Sequence, residues 1–331
     1  MKVIDKVDST ASMETTSDRI AISIKGKWIQ VPAIEIEHKW IVIRGKWIKV
    51  AVVHDEEWLE TELQDPESCI RRLKENQLAQ IRPDIFTFTQ KLPDATPRYR
   101  YPMELESIAV VRTNSFQAWW DGLPQESRKN VRRSQKRGVR ISVHEFNDDL
   151  IRGIVGINND APVKQGRPNN HFGKSVDQVR RDQESFIERS DFICAHAGDE
   201  MIGFLKLVFR GRVAALLNLT CKASHFDKRP SNALLAKAVE LCAQKGITHL
   251  TYGKFNYGNK RDSPLREFKV RNGFEEILMP RYAVPLTAWG SICLKLKLHR
   301  GFVGILPERA IALVVGLRSK WYNLKVRSKP V

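Results

Sequence analysis

Along residues 19–58, apolar and polar positions alternate with the two-residue period of half-buried strands. The stretches "RIAISIKGKWIQV" and "KWIVIRGKWIKVAVV" are rich in Ile, Val and Trp and are broken by Gly-Lys at 26–27 and 45–46, so they predict hairpins in one sheet. "GKWI" recurs nineteen residues on, but two copies are too few for a repeat architecture. The period then changes. "DPESCIRRLKENQLAQIRPD" (65–84) predicts a helix capped by Asp65, with Pro66 in its first turn and Pro83 as its stop. "DIFTFTQKL" and "YPMELESIAVVRT" predict strands, and "SFQAWWDGL" a short helix.

From Gln125 a basic stretch without β-branched runs predicts a helix ending at Gly138, followed by the strand "VRISVHEF". "DDLIRGIVGINND" and "VDQVRRDQESFIERS" predict helices on either side of a long Gly/Pro/Asn-rich loop, 158–175. "DFICAHAGDEMIGFLKLVFRGRVAALLNLT" predicts three antiparallel strands turning at Gly198-Asp199 and Arg210-Gly211. After the loop "CKASHFDKRPS" come the helix "NALLAKAVELCAQKG", the strand "THLTYG", the helix "SPLREFKVRN" and the strand "GFEEILMPRYAVPLT". This order predicts an α+β fold in which helices flank a mostly antiparallel sheet. The expected organisation is a tail (1–18), an N-terminal β-rich lobe (19–125), a main domain (126–290) and a basic amphipathic helical segment (291–331).

Composition narrows the functional classes. The chain has 331 residues, 42% hydrophobic, and no apolar run near the roughly 20 residues of a spanning helix. Residues 1–18 are polar and Ser/Thr-rich, unlike a signal peptide, so a cytoplasmic protein is expected. Five scattered cysteines (Cys69, Cys194, Cys221, Cys242, Cys293) lack the spacing of a metal clip or redox pair, and eight histidines include no His-x-x-x-His. Neither a metal site nor a cysteine nucleophile is expected. The net charge of +17 is concentrated: residues 127–140 carry +7 and residues 290–331 carry +8, leaving +2 elsewhere. Two basic belts on a near-neutral body suit a phosphate-rich partner: a nucleotide cofactor, a nucleic acid or an anionic membrane face.

The segments "FICAHAGDEMIGFLKL" (192–207), "DKRPSNALLAKAVELCAQKG" (227–246), "LTYG" (250–253) and "FKVRNGF" (268–274), in that order, resemble the GNAT acyltransferase fold. With the basic helix and strand "SRKNVRRSQKRGVRI" (127–141), the chain looks more specifically like the FemAB-like GNAT proteins, over roughly residues 107–290. The resemblance implies a GNAT-like sheet, with the N-terminal lobe as a possible reduced second half. It also implies an N-acyltransferase acting on an amine of a sugar or peptide, in cell-envelope or polysaccharide biosynthesis. The donor would be an acyl-CoA such as acetyl-CoA, or an aminoacyl-tRNA. The segment "DKRPSNA" (227–233) departs from the usual pyrophosphate loop in having no glycine, a departure FemAB-like proteins share.

Acyl transfer to an amine needs a polarised carbonyl, a proton acceptor and a grip on the donor's phosphates. The loop before the helix at 232 fits the last need. Lys222, Asp227, Lys228, Arg229, Ser231 and Asn232 are its candidate cofactor-binding residues, because a helix start presents free N–H groups to anions. Alignment of "FKVRNGF" with the family places Lys269 where a tyrosine often returns a proton to the leaving thiolate, and Tyr257 is the substitute acid. Tyr252 and Lys254, where the sheet should open, and Arg167 and Asn170, in the long loop, are candidate acceptor-binding residues; Asp160 or His171 is the candidate base. The C-terminal segment, with Pro307 starting a final helix, is a candidate peripheral membrane contact. Two other classes stand beside the enzyme: a nucleic-acid-binding protein using the basic belts, and an inactive GNAT-shaped scaffold.

Overall fold

The computed structural model describes residues 17–24, 27–54, 62–75, 82–164, 167–256 and 263–300. Its first half contains β1 (Ser17–Ile24), β2 (Lys27–Ile36), β3 (Lys39–Arg44), β4 (Val50–Val53), α1 (Pro66–Glu75), β5 (Ile85–Thr89), β6 (Met103–Arg112), α2 (Phe116–Gly122) and α3 (Gln125–Lys136). The second half contains β7 (Val139–His144), α4 (Asp148–Asn158), β8 (Val163–Lys164), β9 (Arg167–Pro168), α5 (Val176–Gln183), β10 (Ser190–Ala197), β11 (Glu200–Arg210) and β12 (Val213–Cys221). It continues with α6 (Pro230–Gln244), β13 (His249–Lys254), α7 (Pro264–Arg271), β14 (Glu275–Pro285) and α8 (Ala288–Lys295).

Twelve strands form one sheet in the order β1-β2-β3-β4-β5-β14-β6-β13-β12-β11-β10-β7. Its two halves repeat one plan. In the first, four antiparallel strands (β1 to β4) are followed by α1 and by β5, parallel to β4. In the second, four antiparallel strands (β7, β10, β11, β12) are followed by α6 and by β13, parallel to β12. Each half then gives its closing strand to the other: β6 pairs with β13, β14 with β5, and the two pair with each other. This is the α+β architecture expected from the order of elements.

Strand alternation sorts the core onto the two faces. Ile193 and Ala195 of β10, with Ala109 and Val111 of β6, join Leu234, Leu235 and Val239 of α6 on one face. Phe192 and Cys194 join Leu150, Ile151, Ile154 and Ile157 of α4 on the other. A separate cluster under α1 unites Cys69, Ile70 and Leu73 with Phe86, Phe88 and Tyr282. All five cysteines are buried free thiols, and burial pushes those of Cys69, Cys194, Cys221 and Cys242 up to about 12.

The structure corrects several local expectations. β2 and β3 turn at Glu37-His38, both with positive φ and with no glycine to announce the turn. The helix expected through residue 190 stops at Gln183, because Phe186 takes a left-handed conformation before a 3-10 turn at Ile187–Arg189. The loop 158–175 is not featureless: β8 and β9 form a small ladder, and Ser175 closes a capping box with Gln178. The loop 222–229 contains a 3-10 turn, Ala223–Lys228. Residues 301–331, including the helix expected from Pro307, lie outside the described residues. Among the described residues no helix is long and apolar enough to cross a membrane.

Candidate active site

The parallel pair at the centre of the second half parts along its length. β12 and β13 are in register only at Val213↔His249, Ala214↔Leu250 and Ala215↔Thr251. Beyond that point both strands are bulged. On β12, Leu217 is skipped in the register with β11, where Lys206 faces Asn218 and Leu207 faces Leu216. On β13, Tyr252 and Gly253 are skipped in the register with β6, where Thr251 faces Val110 and Lys254 faces Ile108. A bulge bends its strand and adds local twist. Two bulges on opposite walls therefore open a V between Leu216–Cys221 and Tyr252–Lys254, exposing a strand edge of β12 that has no strand partner on that side among the described residues. Gly253, at φ +53, adopts the left-handed conformation the β13 bulge requires.

Lys269 supports one wall of the V. Its side chain is fully buried, an uncommon state for lysine. The ammonium donates to the carbonyls of Tyr252 (2.6 Å) and Lys254 (2.7 Å) and lies 4.5 Å from the centre of the Tyr252 ring. Burial pulls its pKa down to about 8. The carbonyls flanking the bulge are thus satisfied by a side chain on α7. Lys254 points its own ammonium at Glu106 (3.2 Å), which also receives Arg281 (3.1 Å).

At the far end of β12 the chain enters the 3-10 turn and then α6. Arg229 takes φ +56 and Pro230 occupies the first helical turn, so a fifteen-residue helix begins abruptly at the mouth of the V. Its start is tied down on two sides. Asn232 Nδ2 donates to Asn272 Oδ1 (3.1 Å), and buried Asn272 in turn receives the Trp119 indole at its carbonyl and donates to the Phe268 carbonyl. Ser231 lies against Cys221, Sγ to Oγ 3.7 Å.

The long loop is stitched to the same turn through Asp160. Its carboxylate accepts from the Ala223 amide (2.5 Å), the Ser224 amide (3.4 Å) and the Ser224 hydroxyl (2.6 Å). Partial burial raises its pKa, but the hydroxyl and the two amides outweigh that and hold it below the ordinary carboxylate range. Lys164 donates to the carbonyls of Ile157 and Cys221, a second stitch. His171 and Asn170 stand exposed in this loop, and Arg167 pairs with Lys164 in its small ladder.

The charges of the turn divide into engaged and open groups. Lys222 binds Glu200 at 2.6 Å, with His225 beside it at 3.1 Å. Asp227 binds Arg137 of α3 at 2.8 Å. Among the described residues Lys228 and Arg229 have no carboxylate partner. The Arg137 contact brings the C-terminal end of the basic helix α3 to the start of α6, while Ser127 at its other end donates to the Arg271 carbonyl of α7 (2.5 Å). The first basic belt is therefore contiguous with the open cations of the turn.

The structure thus gathers Lys222, Asp227, Lys228, Arg229, Ser231, Asn232 and Asp160 at one end of the V, and Tyr252, Lys254 and Lys269 along its β13 wall. Tyr257 lies outside the described residues. Glu106 is a site residue that no motif in the sequence singles out. In "MELESI" it shares a strand face with buried Ile108, two residues on, and a charge at such a position was the available signal. Burial raises its carboxyl, but Arg281 and Lys254 together hold it ionised and below the ordinary range. Among the described residues no three His, Cys, Asp or Glu side chains converge as a metal site requires.

No family model matches the sequence, and no curated protein matches it either. Solved structures do. FemX aligns over 82% of this chain and 88% of its own with a TM-score of 0.52 at 10% identity. The C-terminal domain of a protein assigned as a lysylphosphatidylglycerol synthetase, from Agrobacterium fabrum, aligns over 78% and 85% with a TM-score of 0.51 at 13% identity. A conserved protein of unknown function from Bacteroides thetaiotaomicron aligns over 78% and 86% with a TM-score of 0.52 at 10% identity. At these identities the likeness is one of fold: the chain shares the fold of FemX and of the synthetase domain.

Proposed function

We propose that the chain is an N-acyltransferase that moves an acyl or aminoacyl group from a phosphate-bearing carrier to an amine. The observation that carries this reading is the V between β12 and β13, bulged on both walls and opening beside the start of α6. A parted parallel pair leaves backbone N–H groups of β12 without a ladder, in a position to polarise an acyl carbonyl lying along that strand. The start of α6 supplies N–H groups and the positive end of the helix dipole, and Lys228 and Arg229 supply charge for phosphates. Lys222 and Asp227 act through their ion pairs, which shape the turn.

In the proposed reaction the neutral amine attacks the acyl carbon, the carbonyl oxygen carries the developing charge, and the bond to the carrier's sulfur or ribose oxygen breaks. The attacking nitrogen must first lose a proton. His171 and Asp160 both belong to the long loop, and of the two the imidazole is the better proton acceptor: partial burial and Lys174 favour its neutral form, whereas the three donors to Asp160 make its carboxylate a weak base. Glu106, also held ionised, is shared by Lys254 and Arg281 and so orients those two cations beside the β13 wall. The acceptor is an amine of a sugar or peptide, and cell-envelope or polysaccharide assembly is the proposed setting.

The donor is an acyl-CoA or an aminoacyl-tRNA. The junction of α3 with the α6 turn favours a large polyanion, because it extends the cationic surface beyond a single pyrophosphate. Thermal shift of the full chain with acyl-CoAs and with charged tRNA tests the reading. Stabilisation by one of them, reduced about tenfold in apparent affinity by Lys228→Ala with Arg229→Ala, is expected if the turn grips the carrier. Absence of stabilisation by either donor class would overturn it.

A further inference from the structure

A cavity lies apart from the V. It sits at the opposite ends of β12 and β13, roughly 25 Å along β12 from the α6 turn at about 3.3 Å per strand residue. It has a volume of about 570 Å³, within the roughly 300–1,000 Å³ of small-molecule sites. Five parts of the chain line it: Glu62 and Gln64 before α1, the segment 91–93 after β5, Asn114 after β6, the β11–β12 turn, and residues 248–251 at the start of β13.

Its floor is apolar. Leu92 and Val213 belong to the cluster that also holds Ile108, Val110 and Met279. Thr251, which lines the cavity where the strands begin to part, spends its hydroxyl on the Ala214 carbonyl (3.2 Å). The wall carries an arginine and a histidine. Arg212 and His249 both line it, and Arg112 lies close enough to act electrostatically on the same imidazole. The His249 Nδ1 is 2.9 Å from the Thr248 hydroxyl, which itself donates to the Arg212 carbonyl (3.1 Å), so the ring is oriented by its own strand. Burial, Arg112 and Arg212 all press the imidazole toward its neutral form.

The acid in the lining is not available to this wall. Glu62 accepts from Arg98 at 3.1 Å and from the Lys91 amide at 3.3 Å. Among the described residues Arg212 has no carboxylate partner. An apolar floor beneath an arginine and a histidine, with the lining acid already engaged, has the complementarity of an amphiphilic anion: the head meets the guanidinium and draws a proton onto the imidazole, whose Nδ1 is held by Thr248, and the body covers Leu92 and Val213. We infer that this cavity is a second ligand site, separate from the acyl-transfer V, that takes a small organic anion with a carboxylate or phosphate head on an apolar body. The inference does not depend on acyl transfer.

Isothermal titration of the full chain with phenyl phosphate and with benzoate tests it, with benzamide and inorganic phosphate as probes lacking the charge or the body. One saturable site for at least one of the two aromatic anions is expected, with both control probes binding more weakly. Arg212→Gln, at an exposed position, should weaken that binding by about tenfold or more, the scale of one charge-assisted contact; His249→Phe should weaken it in the same direction. Lys228→Ala with Arg229→Ala should leave it unchanged, which separates this site from the α6 turn. No saturable binding of either anion, wild-type affinity in Arg212→Gln, or loss only in the Lys228/Arg229 variant would overturn the assignment.

Discussion

The Lys269 ammonium lies 2.6 Å from the carbonyl oxygen of Tyr252 and 2.7 Å from that of Lys254, so one side chain spans the bulge that turns β13 away from β12. The two carbonyls have a donor that does not belong to the sheet, and the V therefore stays open without leaving them unsatisfied. Lys269→Met keeps most of the stem volume and removes the donor. Stranding two buried carbonyls should destabilise the chain by about 2–4 kcal/mol, read as a lower urea midpoint. Donor-induced stabilisation should weaken in parallel as β13 loses its support. A midpoint equal to that of the wild type would show that the bulge holds itself.

Burial gives the same residue a pH signature. Lys269 and Lys206 are both buried and both pulled down to about 8 from the ordinary 10.5. Between those two values the unfolded chain holds protons that the folded chain has released. Stability contributed by these groups therefore rises with pH across the window from about 8 to 10.5. Unfolding free energies of wild type and Lys269→Met should diverge further, in favour of wild type, as pH rises through it. A constant difference would mean that the two carbonyl bonds restore the ammonium to its ordinary pKa.

Asp160 was expected on sequence grounds as a candidate base, and its geometry also gives it a positioning role. Its oxygens receive two amides and a hydroxyl from the 3-10 turn that precedes α6. Asp160→Asn should lower stability by about 1 kcal/mol, because the amide cannot accept from both backbone donors on one oxygen and the hydroxyl on the other. The folded-state pKa is depressed, so this contribution is present above the unfolded value of 3.8 and is lost as pH falls through the folded one. The difference between wild type and variant should accordingly be full at pH 7 and vanish in strong acid. In transfer assays the variant should raise KM for the donor more than it lowers kcat; the reverse split would return Asp160 to the chemistry.

The sequence disclosed elements better than it disclosed their joins. Alternation in "FICAHAGDEMIGFLKL" and the proline and glycine at the ends of the helix 264–271 placed β10, β11 and α7 close to where they lie, because those signals are local. The Glu37-His38 turn carried no glycine, and the bulges at Leu217 and Tyr252-Gly253 exist only relative to neighbouring strands distant in the chain. Lys269 stood in the sequence as a candidate catalytic group, with nothing local to announce that it is buried. Its burial follows from β13 coming to lie under α7, a tertiary fact without a local pattern. The exchange of β6 and β14 between the halves is likewise a matter of long-range pairing.

The sequence "FKVRNGF" ends α7 at Gly273, with φ +81, and this glycine has two reasons to be there. The left-handed conformation disfavours any side chain. In addition, a Cβ at this position would lie 3.0 Å from Trp119 Nε1 and 3.3 Å from Leu123 Cδ2. The Trp119 indole donates to the Asn272 carbonyl (3.1 Å), and Asn272 holds Asn232 at the start of α6, so the collision would be felt at the α6 turn. Gly138 separates the two causes. It ends α3 at φ +76, and a Cβ there would meet nothing within 4 Å. Gly138→Ala should cost about 1 kcal/mol for the backbone alone. Gly273→Ala should cost about 2–3 kcal/mol, the backbone cost plus displacement of a packed indole, and should weaken donor stabilisation where Gly138→Ala does not. Equal losses in the two variants would show that Trp119 yields freely and that α7 does not set the geometry of the α6 start.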